Sequence, residues 1–294
     1  MSFNANTYRT KKSTLKNYGA SPNFVNATMW QHTTTGLKLV DATDELPFKV
    51  LIVGRISAFR LKSGPGGNHV LNGRGSLDKA KYQFHMSRPA DTDLAKDYNA
   101  TIAVLETLQK QVATTKDHRN MIIADVTGKM IRFVRNVFEL RDNVVPDSPN
   151  GRAAQNATKM DEETENWEIP EEFAKEFEGI KYHYRAQRLP VYYEDVLIQP
   201  GEVNEALNGA IVEVEFTMRH WRIQDYDSFQ ATSQKITILR LGPYHHKSNY
   251  KHTSPDAQLE GNQPKRARTS PDVQLDEPQP KRTRQNATAG PSKT

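Results

Sequence analysis

The 294-residue chain contains no cysteine. Disulfide scaffolds, zinc–thiolate sites and cysteine nucleophiles are therefore excluded. A reducing compartment is compatible with this. No run of 18 apolar residues occurs, and the N-terminus lacks an apolar signal core. A soluble, non-secreted protein without a membrane partner is expected. Histidines such as His69, His85, His118 and His183 are scattered, with no paired spacing and carboxylate to suggest a metal site. Glu194 and Asp195 are adjacent, so on a strand they face opposite sides and cannot share a site. Ser63–Gly75 carries five glycines but no Gly-Lys-Ser/Thr, so it is not a nucleotide P-loop. It reads as a flexible hairpin connection. No catalytic residue and no cofactor is expected, and the chain does not read as an enzyme.

What is present is unevenly spread. The net charge is +5, too small to imply nucleic acid by itself. Residues 1–40 hold five bases and no acid, whereas 161–178 hold nine carboxylates against the single Lys175. Residues 245–294 hold nine bases against five acids. Segregation of this kind marks tails and inserts. Residues 1–23 read as a basic disordered arm. From Thr253 the sequence TSPDAQLEGNQPKRAR is followed by TSPDVQLDEPQPKRTR, a repeat of 16 residues. This proline-rich stretch, 245–294, reads as a disordered tail. Each copy ends in a basic cluster, Lys265, Arg266, Arg268 and then Lys281, Arg282, Arg284. Such clusters suit the acidic grooves of nuclear import receptors, so the nucleus is the expected location.

Between the tails, residues 24–244 are expected to form one domain, with 161–178 as an acidic, largely solvated insert. A strand is expected over Phe48–Arg60, with Gly54 at a bend of the kind small barrels need. Lys81–Met86 alternates and reads as its partner. Asp91 or Thr92 caps a helix in which Leu94, Tyr98, Ile102, Leu105, Leu108 and Val112 recur at three- and four-residue spacing. A further hairpin runs through Thr127-Gly128. The strongest strand pair lies over 209–241. There Val212, Val214, Phe216 and Met218 alternate with Glu213, Glu215, Thr217 and Arg219, the period of a strand with one buried face. Its tip gathers Arg219, His220, Trp221, Arg222, Tyr226 and Phe229. Either these aromatics stack on bases while arginines follow a phosphate backbone, or Trp221 and Phe229 form a cross-strand core pair.

The whole reads as mainly β with one long helix, an OB-fold-like barrel with disordered termini. The order Lys81-Tyr82-Gln83-Phe84-His85-Met86-Ser87, long helix, hairpins, Leu207–Val214, Arg219-His220-Trp221-Arg222 and Ser228-Phe229-Gln230-Ala231 resembles the single-stranded DNA-binding OB-fold proteins of large DNA viruses and phages, over about residues 40–241. The resemblance implies a Gly-led strand running to an aromatic tip, with single-stranded DNA as ligand. The acidic segment lies inside the domain here and the C-terminus is basic, so partner recognition by an acidic tail does not carry over. Expected nucleic-acid contacts are Arg55, Phe59, Tyr82, Arg132, Phe133, Arg135, Arg185, Arg219, Trp221, Arg222, Tyr226 and Phe229. Alternation must place some of these aromatics in the core. Single-stranded DNA or RNA and an import receptor are the expected partners, and homo-oligomerisation is compatible with the sequence. The competing reading is a nuclear protein-interaction scaffold, favoured by the small net charge of the chain outside its tails and insert.

Overall fold

The computed structural model describes residues 3–142, 145 and 159–243. The chain divides into two units, Met1–His246 and Lys247–Thr294; the second, with both basic clusters, lies outside the described residues.

The strands, in chain order, are β1 (Thr28–Thr33), β2 (Gly36–Asp41), β3 (Val50–Ile56), β4 (Lys81–Ser87), β5 (His118–Arg119), β6 (Ile122–Asp125), β7 (Gly128–Asn136), β8 (Phe138–Leu140), β9 (Tyr184–Ala186), β10 (Val191–Tyr193), β11 (Val196–Leu197), β12 (Ile211–Ile223) and β13 (Tyr226–Arg240). The helices are α1 (Ala5–Lys12), α2 (Thr92–Val112), α3 (Glu162–Glu165), α4 (Ala174–Ile180) and α5 (Val203–Leu207).

Five strands close on themselves: β3 pairs β4, β4 pairs β7, β7 pairs β13, β13 pairs β12, and β12 returns to β3. Closure removes the open edges a five-stranded sheet would otherwise present. The β7–β13 pair is parallel and the other four are antiparallel. Numbered along the chain, the ring runs first–second–third–fifth–fourth, with the parallel pair between third and fifth. This is the OB-type barrel expected from the sequence. Alternation fills its interior with Ile52, Phe84, Met86, Ile131, Phe133, Val214, Phe216, Met218, Phe229 and Ala231, each at most 1% exposed.

Gly54 is the bend. β3 hydrogen-bonds to β12 up to Arg55 and to β4 from Arg55 onward. At this corner a Cβ on Gly54 would meet Met86 Cγ at 2.4 Å, so no other residue fits without repacking. Helix α2 is capped by Asp91, whose carboxylate accepts from Asp93 N and Leu94 N. It buries Leu94, Tyr98, Ile102, Leu105 and Leu108. The Tyr98 hydroxyl donates to Met86 O and Lys129 O, which fixes the helix over β4 and β7.

Three regions differ from the sequence expectation. The N-terminal arm is not free: Tyr8, Tyr18, Phe3 and Ala5 pack on Leu51, Val53 and Ile211, the outer face of β3 and β12. Its charges have partners there, Arg9 with Asp97 (2.8 Å) and Lys12 with Glu213 (2.7 Å). The acids lie far away in sequence, which is why local composition reads as a solvated tail. The acidic insert is likewise folded. Trp167, Phe173 and Phe177 are buried to 5–6% exposure. The Trp167 indole donates to Pro65 O at 3.2 Å, and the Phe173 ring lies so close to Gly66 that a Cβ there would be 2.8 Å from it. The start of the glycine-rich connection, at Pro65 and Gly66, is therefore braced, whereas residues 70–76 are exposed.

Candidate nucleic-acid interface

β4 and β7 are the second and third strands of the ring, and their outer face is set by alternation. Phe84, Met86, Ile131 and Phe133 point in, so Gln83, His85 and Arg132 lie on the outer side, His85 there only 1% exposed. His85 is opposite Arg132 on the neighbouring strand. Ala231 pairs with Phe133, which places Gln230 beside Arg132 one position earlier. Gln230 is opposite Arg219, and Arg219 is opposite Lys38. Lys38, Arg219, Gln230, Arg132 and His85 therefore form a row across five adjacent strands. At about 4.8 Å per strand the row spans roughly 19 Å around the barrel.

Both loops that flank this face in the ring add to it. In the connection between β3 and β4, Phe59 is 55% exposed and stacks on the His85 ring, centroids 5.9 Å apart at 25°. The Arg60 guanidinium lies 4.9 Å from the Phe59 centroid. Arg60 holds a left-handed backbone, φ +54°, at a cost of about 1 kcal/mol for an L-residue. At the β12–β13 tip, Arg119 lies 4.2 Å from the Tyr226 centroid and is also bound to Asp117. Asn120 joins the two ends, donating to Ser228 Oγ at 2.8 Å and accepting from Arg132 at 3.5 Å.

The electrostatics centre on Arg132. It is half-buried, and its hydrogen bonds go to neutral groups, Gln83 Oε1 (3.0 Å) and Asn120 Oδ1. Its Nε is buried without a partner. Burial first, then Arg60, lowers its pKa. His85 is lowered by the same causes: burial foremost, with Arg132 and Arg60 adding to it against a hydrogen bond to Phe59 O. Among the described residues, Lys38, Arg60, Arg132, Arg219 and Arg222 have no carboxylate partner. A desolvated cation without a counterion is costly. At Arg132 an anion would supply the missing counter-charge.

The fold favours neutral His85, so its stabilising effect is full above pH 6.5 and declines as pH falls below that value. Urea midpoints of the wild type and His85→Gln are expected to converge between about pH 7 and pH 5; parallel profiles would refute the assignment.

The expected contacts divide by strand face. Phe59, Arg132, Arg219, Trp221, Arg222 and Tyr226 belong to the outer strip or its tip. Trp221 borders a 270 Å³ cleft with Arg219 and Gln230, walled by Thr33, Thr35 and Leu37. Tyr82, Phe133 and Phe229 do not belong there: they are at most 1% exposed and form the core, Phe133 against Phe84 and Phe216, and Phe229 against Trp30 and His220. The Tyr82 hydroxyl is occupied by Gln187 O at 2.8 Å. Arg135 shares the inner side with Tyr82, its register partner, and donates to Ser233 O at 3.1 Å. Arg185 lies on β9, in the separate β8–β9 sheet, and is paired with Glu139 at 2.7 Å. Arg55 is exposed on the outer face beyond the row. Sequence reading missed His85, Gln83, Gln230, Arg60, Arg119, Asn120 and Lys38. The first two were recoverable: once Phe84 and Met86 are assigned to the core, Gln83 and His85 must face out.

No protein-family model matches the sequence, and comparison with curated proteins finds no match. Solved structures similar to this chain include phage single-stranded DNA-binding proteins. The gp2.5 protein of bacteriophage T7 is 11% identical, with 73% of this chain and 98% of that chain covered and a TM-score of 0.34. The single-stranded DNA-binding protein of bacteriophage Enc34 is 11% identical, covering 76% and 96%, with a TM-score of 0.36. Its complex with single-stranded DNA gives 12%, 72% and 95%, with a TM-score of 0.33. The OB-type assignment of this barrel stands on its own strand order.

Proposed function

We propose that the protein binds single-stranded nucleic acid, DNA in the first instance, along the outer strip from the Phe59 loop to the Tyr226 tip, and acts as a binding protein rather than an enzyme. The observation that carries this is Arg132: partly desolvated, without a carboxylate, its Nε unpartnered, on the face of the second and third strands where OB barrels hold oligonucleotides. Phosphates complete the cations of the strip, Lys38, Arg60, Arg132, Arg219 and Arg222. Bases stack on Phe59, Tyr226 and Trp221, whose π-faces accept any base, so binding is sequence-tolerant. A duplex stacks its bases internally and cannot offer them.

Fluorescence anisotropy with labelled oligo-dT and a duplex of equal length tests the reading. Oligo-dT is expected to bind more tightly than the duplex. A log–log salt slope of roughly −3.5 is expected for about five neutralised phosphates. Equal affinity for the two, or no binding at low salt, sinks the proposal. Trp221→Ala is expected to weaken oligo-dT roughly tenfold, within the range for loss of one stacked base.

We further propose a nuclear setting in replication, repair or recombination, or in a virus-like element. The duplicated basic clusters of the tail support it. Deleting 253–294 is expected to leave oligo-dT binding near wild type and to make a fluorescent fusion cytoplasmic. Unchanged nuclear accumulation would count against the tail as an address.

A further inference from the structure

The outer strip does not end at His85 and Arg132. Met86 pairs with Ile131, so the next outward pair along β4 and β7 is Ser87 and Met130. Both line a cavity of 570 Å³ between the barrel and α2. That volume lies within the range of small-molecule sites, about 300–1,000 Å³. Its rim carries three cations, Arg55, Arg88 and Lys129. Lys129 is paired with Glu106 at 2.5 Å, but Arg55 and Arg88 have no carboxylate partner among the described residues. Its lining is mixed: Ile102 from α2 (5% exposed) and Met130 from β7 (4% exposed) give it an apolar part, beside Ser87, Thr127 and the Glu106 carboxylate. Asn99, exposed on α2, adds an amide that can both donate and accept.

Cations at the rim and a mixed lining suit a ligand with negative charge at one end and, at the other, a flat body with an apolar face and polar edges. We propose that it receives one nucleotide unit. The base lies against Ile102 and Met130 with its edge toward Asn99, and the phosphate lies between Arg55 and Arg88. Part of this rests on the strand-binding reading above, because a strand following the outer face reaches the cavity one residue pair beyond Arg132. The same chemistry admits a free nucleotide, and the two sources are separable by experiment.

Full-length protein is titrated with dTMP, with thymidine and with inorganic phosphate, while the Met130 methyl is followed by NMR. Wild type, Ala103→Trp and Arg88→Ala are then compared for oligo-dT affinity. Ala103 is exposed on α2 and lines the cavity, so a tryptophan there fills it; Arg88 is exposed and its truncation leaves the core untouched. Saturable shifts at Met130 with dTMP are expected, weaker ones with either fragment, and none in Ala103→Trp. Both variants are expected to weaken oligo-dT about tenfold. Shifts with dTMP but unaltered oligo-dT affinity in the variants identify a free nucleotide as the source. Wild-type oligo-dT affinity in both variants with no dTMP shift overturns the cavity proposal and leaves the strip intact. If oligo-dT fails to bind at all, the strand reading falls, and the dTMP arm alone upholds or overturns the cavity.

Discussion

Arg132→Leu is expected to lower oligo-dT affinity by about thirtyfold, near 2 kcal/mol, within the range for hydrogen bonds to a charged group. The same change is expected to leave the urea midpoint unchanged or to raise it. The two expectations share one cause. In the free protein the guanidinium is partly desolvated, faces Arg60, and has only amide oxygens for partners. An apolar side chain removes that burden, as replacement of buried charges by packed hydrophobes commonly does. In the complex a phosphate supplies the missing counter-charge, and leucine cannot accept it. A residue kept for structure would instead lose stability with binding. Arg185→Ala is the control. Its guanidinium is already held by Glu139 in the small β8–β9 sheet, and less than a twofold change is expected. Anisotropy titrations and urea curves on the three proteins decide it. A drop in stability without a drop in affinity would assign Arg132 to the scaffold.

The second large effect concerns the tip itself. Asp227→Ala is expected to cost about 3–5 kcal/mol of folding stability, the range for removing one partner of a buried charged network. Asp227 is fully buried. Its carboxylate accepts from Thr114 N (2.9 Å), Thr115 N (2.6 Å), the Thr115 hydroxyl (2.7 Å) and His220 Nε2 (2.7 Å). These bonds tie the segment after α2 to the hairpin that carries Trp221 and Tyr226. Burial by itself would raise the carboxyl pKa. The hydrogen bonds from Thr115, His220 and Thr114 outweigh it and hold the group at about 2. The sign follows. A carboxylate held below its ordinary 3.8 stabilises the fold above that value, and this stabilisation is lost as pH falls toward 2. The gap in unfolding free energy between wild type and Asp227→Ala is therefore expected to be flat near neutrality and to shrink below about pH 4. Denaturant curves across that range measure it; a gap that persists to the acid limit would mean the bonds do not depend on ionisation.

Much of this architecture was readable from the chain. Alternation over Val212–Met218 located the hairpin, Asp91 and the 3.6-residue spacing located α2, and Gly54 marked the corner. These features are local: period, cap and steric requirement act over a few residues. Local alternation also says that two faces exist, and it distinguished them wherever one face was plainly apolar. It failed at Phe229 and Phe133, because an aromatic residue suits either side of a strand. Only the closed ring decided which side was core. The positions of the charges were less legible still. Arg185 and Arg132 look alike in sequence, yet one meets Glu139 across a short sheet and the other meets no acid. Arg9 and Lys12 suggested a solvated arm until Asp97 and Glu213, distant in sequence, were brought against them. The hairpin tip carries Trp221 and Tyr226 outward and Phe229 inward, and Arg132, half-buried with no carboxylate partner among the described residues, lies two strands away from Trp221. Composition and periodicity by themselves determined that a β-barrel with a single long helix forms and that it carries arginines and aromatics. Which of those side chains share one face, and which cations are left without a counterion, depends on strand register between distant segments, and that is set only by tertiary closure.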